Sequence, residues 1–216
     1  MGKSAFMPQA LPATPAIGSW PWPPILRASI GWHAAAIAAA VLVPGAAPWA
    51  LGAIVLNHAV ITAAGLTPRS RLLGPNITRL PPAAAARREI AITIDDGPDP
   101  EVTPQVLEEV TGQRPACFRA PAGLRNPFLA PVLHRMGLVL VSWTRRGFDT
   151  REGSATKVLA RLTRGLDAGD ILLLHDGHAA RTEGGRAVVL EVLPPLLERL
   201  RTEGLRAVTL PEGLRA

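Results

Sequence analysis

This chain of 216 residues predicts an α/β fold built on a parallel sheet and preceded by two apolar helices. Three observations carry that expectation. From Glu89 onward, short β-branched or leucine-rich runs alternate with helical ones, and strand–helix alternation builds parallel sheets or barrels. Ahead of them stand two apolar stretches, Ala28–Val43 and Trp49–Leu66, neither with a formal charge. Finally, the ends of successive predicted strands carry carboxylate, guanidinium or imidazole groups, on the edge where α/β folds bind ligands.

Taken in order, residues 1–24 are proline-rich and predict a disordered lead. Residues 25–66 read as a membrane hairpin, with Pro44–Pro48 as its turn. A spanning helix needs about 20 apolar residues, and the first segment reaches that length if Ile25 and Leu26 join it and Arg27 snorkels. Trp20, Trp22, Trp32 and Trp49 fall in or beside this region, as an interfacial aromatic belt would have them. His33 and His58 read as helix-packing groups. Lys3 and Arg27 precede the hairpin and Arg69, Arg71, Arg79, Arg87 and Arg88 follow it, whereas its turn carries no positive charge. The positive-inside rule then puts the following domain on the cytoplasmic side of a bacterial inner membrane.

Residues 67–88, rich in Pro, Arg and Ala, predict a linker, and 89–216 the α/β domain. Its predicted strands are Ile90–Ile94, Ala116–Arg119, Leu138–Trp143, Ile171–Leu174 and Ala207–Leu210. Its predicted helices are Thr103–Val110, Pro127–Met136, Thr156–Leu166 and Ala187–Thr202. Thr103-Pro104 starts a helix well, and Gly137, Gly165, Gly169 and Gly204 stand where helices stop.

Net charge is +6, yet charged residues make up only 19% and the arginines are scattered without a basic, aromatic-laced block. That argues against nucleic acid as a partner. A single cysteine, Cys117, excludes an internal disulfide and any cysteine-based metal cluster.

The organising stretch is Ile90–Pro100, IAITIDDGPDP: an alternating strand broken by an Asp-Asp-Gly-Pro turn. Adjacent strand residues point opposite ways, so Asp95 and Asp96 are suited to different tasks, one holding a metal and the other a proton. The second predicted strand ends in Arg119-Ala120-Pro121-Ala122-Gly123. The third runs into Trp143-Thr144-Arg145-Arg146-Gly147-Phe148-Asp149, and the fourth ends in Leu172-Leu173-Leu174-His175-Asp176. Each group has an ordinary structural explanation alone; four consecutive strand ends together point to a site.

These pieces, in this order, resemble the polysaccharide deacetylases, the NodB-homology carbohydrate esterases. Thr93–Pro98 stands for the family's TFDDGP motif, Arg119–Gly123 for its arginine motif and Leu172–His175 for its leucine-histidine motif. The resemblance implies a distorted (β/α) barrel and hydrolysis of N-acetyl groups on amino-sugar polysaccharides or oligosaccharides, with a divalent metal, zinc in the first instance. It implies Asp95 as general base, Asp96 as metal ligand, Arg119 orienting Asp95, His175 as general acid and Asp149 tuning Arg119 or His175. Pro121, Trp143 and Leu173 would wall the acyl pocket.

The family's histidine pair is missing, because no histidine occurs between His58 and His134. At roughly 30 residues per βαβ unit, about two βα units are absent near Glu108–Thr111. The expectation is therefore an incomplete barrel, weak metal binding and doubtful turnover. Two alternatives stay open: a catalytically dead, membrane-attached carbohydrate-binding remnant, and a deformylase-like enzyme acting on a lipid-linked amino sugar.

Overall fold

The computed structural model describes residues 21–95 and 115–215. Asp96, residues 1–20 of the predicted lead, the predicted helix Thr103–Val110 and the junction near Glu108–Thr111 lie outside the described residues.

Two long helices open the described chain, α1 (Pro24–Leu42) and α2 (Ala47–Leu66), joined by a turn at residues 43–46. Both are long and apolar enough to cross a membrane, and only 17% of each span is buried against protein. An apolar cluster of Leu26, Ala64 and Leu73 joins the pair, and polar contacts add to it. Asn57 Nδ2 donates to Ser29 Oγ (2.7 Å), Trp32 Nε1 to the Ala53 carbonyl (3.0 Å), and the His33 and His58 Nε2 atoms lie 3.3 Å apart. In an apolar surround such bonds hold helices together where the hydrophobic effect does not.

Four strands form one parallel sheet, in the order β4 (Arg145–Arg146), β5 (Ile171–His175), β1 (Glu89–Asp95), β6 (Arg206–Val208). A second, two-stranded parallel sheet pairs β2 (Cys117–Phe118) with β3 (Val139–Leu140). The two sheets are joined by one extended path. After β3, Val141 bridges Ile77, and Thr144 N–H donates to the Ile171 carbonyl as the chain enters β4. The strand paths thus run β2, β3–β4, β5, β1, β6, open along β2 and β6 among the described residues. Ile90–Ile94, expected as one place for an open edge, instead has β5 on one side and β6 on the other. The reason is that β5 and β6 return to flank β1 directly, so the open edge falls at the alternative place, on β2.

The sheet is covered on both faces, which is why β5 reads as an unbroken apolar run. Ile90, Leu172 and Leu174 point to helices α5 (Ala155–Thr163) and α6 (Val188–Thr202), packing on Val158, Leu162, Val192 and Leu196. Ala91, Ile171 and Leu173 point the other way, onto Val141, Trp143, Leu80 and Ala84. Replacing any one of these buried leucines by alanine would cost about 2–5 kcal/mol.

The stretch 67–88 lies against this second face. It includes a short helix α3 (Pro82–Ala86), and Leu73, Leu80 and Ala84 are buried. Helix α4 (Leu129–Met136) ends where predicted, at Gly137 in the left-handed conformation (φ 69°). The predicted strand Ala207–Leu210 stops earlier. Thr209 caps the final helix α7 (Leu210–Gly213), its side chain accepting from Glu212 N–H, which is the preferred use of threonine at a helix start.

Candidate active site

Strands β1 and β5 run parallel with Asp95 opposite His175. Their side chains therefore emerge on one face at neighbouring strand tips. Counting back by twos, that face is the one carrying Ala91 and Thr93 on β1 and Ile171 and Leu173 on β5, the face covered by Trp143 and Val141.

Each member of this pair has a partner. Arg119, following β2, donates Nη1 to Asp95 Oδ1 and Nη2 to the Ser142 carbonyl (3.1 Å). The Arg119 side chain is 12% exposed and that of Asp95 30%. A charge-assisted bond between half-sheltered groups fixes the carboxylate's direction more firmly than one in open water. Asp149 is fully buried and spends both oxygens on one residue: Oδ2 accepts from His175 N–H (2.7 Å) and Oδ1 lies 3.0 Å from His175 Nδ1. A carboxylate can only accept, so this bond puts the proton on Nδ1. Phe148, immediately before Asp149, has φ 59°. A non-glycine residue in that region is strained, and here it lies at the turn that carries Asp149 beneath His175.

Trp143 and Leu173 are buried on the same face. Pro121 opens a 3-10 turn, Pro121–Gly123, on the surface. Gly123 has φ 73°, and a Cβ there would meet Pro68 Cβ at 2.5 Å and Trp143 Cη2 at 2.7 Å. The glycine is required on both counts, and it lets the arginine motif press against Trp143 and the 67–88 stretch. Ser142 Oγ donates to the Pro68 carbonyl (2.8 Å), tying the same layers.

The structure adds two residues that sequence reading passed over. Ser142 supplies the carbonyl that holds Arg119. Arg146 lies 5.4 Å from the Trp143 ring centroid and 4.3 Å from that of Phe148, and burial pushes its guanidinium pKa down. Strict alternation would place Trp143 and Arg146, three apart, on opposite faces. The bend between β3 and β4 brings them together, so the only available sequence signal was misleading.

Among the described residues, no three His, Cys, Asp or Glu side chains come together to hold a metal. A catalytic zinc takes three protein ligands, whereas the carboxylate at the end of β1 is engaged by Arg119 and the imidazole at the end of β5 by Asp149. Among the described residues, these donors do not make up the ligand set of a catalytic metal.

No family model matches the sequence. A peptidoglycan-N-acetylglucosamine deacetylase of Bacillus cereus is 24% identical over 192 residues, taking in 58% of this chain and 88% of that protein. The matched length exceeds the part of this chain that takes part in it, so the relative carries intervening residues with no counterpart here. The crystal structure of the Bc1960 peptidoglycan N-acetylglucosamine deacetylase superposes with a TM-score of 0.54 at 17% identity, over 65% of this chain and 93% of that one. That likeness shows a shared α/β fold. A family 4 carbohydrate esterase from Streptomyces lividans in complex with acetate is 26% identical, with a TM-score of 0.44, over 52% of this chain and 54% of its own. The resemblance read from the motifs therefore holds: the relatives are polysaccharide deacetylases, which are hydrolases.

Proposed function

We propose that this chain, a relative of the carbohydrate esterase family 4 polysaccharide deacetylases, is a membrane-attached protein that binds N-acetylated amino-sugar chains and hydrolyses their acetamides slowly, if at all. The observation that carries this reading is the pairing at the tips of β1 and β5, Asp95 with Arg119 and His175 with Asp149. It keeps an acid–base arrangement oriented while the described residues offer no complete metal set.

In this reading Arg119 holds Asp95 as the carboxylate that takes a proton from water, and Asp149 holds His175 to return one to the departing amine. Base and acid then stand at neighbouring strand tips, each to work within hydrogen-bond reach of its own proton on water or the bound acetamide. Trp143, Leu173 and Pro121 shape the wall for the acetyl group. Asp96 is proposed as the one carboxylate left to touch a divalent metal, and a single such ligand holds zinc weakly because affinity follows ligand number and geometry. Without a firmly held metal nothing lowers the pKa of the attacking water, so turnover is small. The intended partner is an N-acylated amino-sugar polymer or oligosaccharide at a bacterial inner membrane. The domain boundaries proposed are a lead at 1–24, the hairpin at 25–66, a connecting stretch at 67–88 and the deacetylase-like domain at 89–216.

The test is titration of chitooligosaccharides into the detergent-solubilised full chain, read by intrinsic tryptophan fluorescence with Trp143 as reporter. Saturable binding that His175→Ala and Asp95→Ala weaken supports the reading. Absence of binding by the unmodified chain, with the fold intact by circular dichroism, removes it.

A further inference from the structure

At the foot of α2, a cavity of about 400 Å³ is lined by Ile61, Thr62, Gly65, Leu66, Leu124, Arg125, Asn126 and Pro127. Arg125 is its charged wall. It is 9% exposed, and among the described residues its Nε and Nη1 atoms are buried without a hydrogen-bond partner. Among those residues its only side-chain bond runs from Nη2 to the Ser70 carbonyl, and burial pushes its pKa down. A buried cation without an anion is costly, and a guanidinium presents five donors in a fork that matches phosphate oxygens.

The other lining residues say which phosphate. Ile61, Leu66 and Leu124 make an apolar side continuous with α2, a helix long and apolar enough to span a membrane. Thr62 and Asn126 also line the cavity, with Asn126 Oδ1 accepting from the N–H groups of Phe128 and Leu129. The backbone fixes the place, with Arg125 N–H donating to the Gly65 carbonyl in the last turn of α2 (3.1 Å). A Cβ on Gly65 would lie 2.3 Å from the Arg125 carbonyl oxygen, so glycine is what lets the loop after the arginine motif close against the helix.

From this geometry we propose that the cavity binds the phosphate of an anionic phospholipid, with the acyl chain along α2 and Arg125 as its counter-ion. Rotation of the side chain exchanges the single Ser70 carbonyl bond for a paired contact with phosphate. The loop that carries Arg125 begins two residues beyond the Arg119–Gly123 motif, so a seated lipid would also fix the height of the candidate site above the membrane. The proposal rests on the membrane-attached reading.

The experiment uses the full chain purified in a neutral detergent, with phosphatidylglycerol, phosphatidylcholine or inorganic phosphate added, and reads retained lipid by native mass spectrometry. Phosphatidylglycerol should be retained and Arg125→Gln should lower its retention about tenfold, as loss of a charge-assisted bidentate contact implies. Thr62→Trp, which fills the cavity from the exposed face of α2 and leaves Arg125 in place, should lower it likewise. Equal retention by the parent and both variants overturns the proposal, as does inorganic phosphate displacing the lipid at equal concentration. Carbonate extraction of the parent chain from cells separates the two readings. Extraction into the soluble fraction removes membrane attachment and the lipid site with it, whereas an integral chain that ignores Arg125 removes the lipid site alone.

Discussion

Asp149 decides which nitrogen of His175 carries a proton, and that is open to direct measurement. With the carboxylate in place, 15N chemical shifts of the His175 ring should report Nδ1–H. Asp149→Asn keeps an acceptor for His175 N–H but turns its amide donor towards Nδ1, which should move the proton to Nε2 with little loss of fold. An unchanged tautomer would contradict the role assigned to Asp149. At Gly123 the expectation is steric. Gly123→Ala combines a left-handed backbone with contacts under 3 Å to Pro68 and Trp143. It should cost about 2–4 kcal/mol in chemical denaturation, and a loss below 1 kcal/mol would mean the two layers separate easily. That Asp95, Arg119, Asp149 and His175 come together was legible in the sequence because the C-terminal strand tips of parallel folds gather polar groups on one edge. Arg146 and Ser142 were not, since the bend after β3 breaks the period on which such reading depends.

At the scale of the element, β1 is anchored at its start by a buried acid. Glu89 is 1% exposed, and its carboxylate accepts two bonds from Arg87 (2.9 and 3.0 Å) and one from Arg206 on β6. The Arg87 hydrogen bonds, then those of Arg206, outweigh burial and hold its pKa below the ordinary 4.5. A lowered folded-state pKa stabilises the fold above the unfolded value, and that contribution is lost as the pH falls through the folded one. Thermal midpoints of the parent and Glu89→Gln should therefore differ at pH 7 and converge in acid below about pH 4.5. A gap that does not narrow on acidification would contradict this. The strands themselves were legible from apolar alternation, and β5 from its unbroken Leu run. The 67–88 stretch read as a linker because short proline- and alanine-rich pieces carry no period, yet Leu80 and Ala84 bury against the sheet and Leu73 against Leu26 and Ala64 of the two apolar helices. Helix α7 was hidden for a related reason, a four-residue element whose start depends on the Thr209 cap.

Across the whole molecule, the apolar helices α1 and α2 were legible from composition, and their orientation is a prediction from charge. Reporter fusions after Ala47 and after Ala216 should report opposite sides of the membrane, with the second cytoplasmic. A periplasmic signal from the Ala216 fusion would reverse the topology. The missing histidine pair was legible in the sequence, and the match to the Bacillus cereus deacetylase is longer than the residues this chain contributes to it.

The proposed function is that of a chain that keeps the acid–base half of a deacetylase site while its described residues lack the metal half. Its most direct test measures bound zinc by elemental analysis alongside acetate release from chitooligosaccharides. Both are read for the unmodified chain and for one given a histidine-pair segment of the family between Val110 and Thr111. The proposed function predicts little zinc and little acetate from the first, and a joint gain of both in the second that Asp95→Asn abolishes for acetate alone. Stoichiometric, tightly held zinc with robust acetate release from the unmodified 216-residue chain would contradict it.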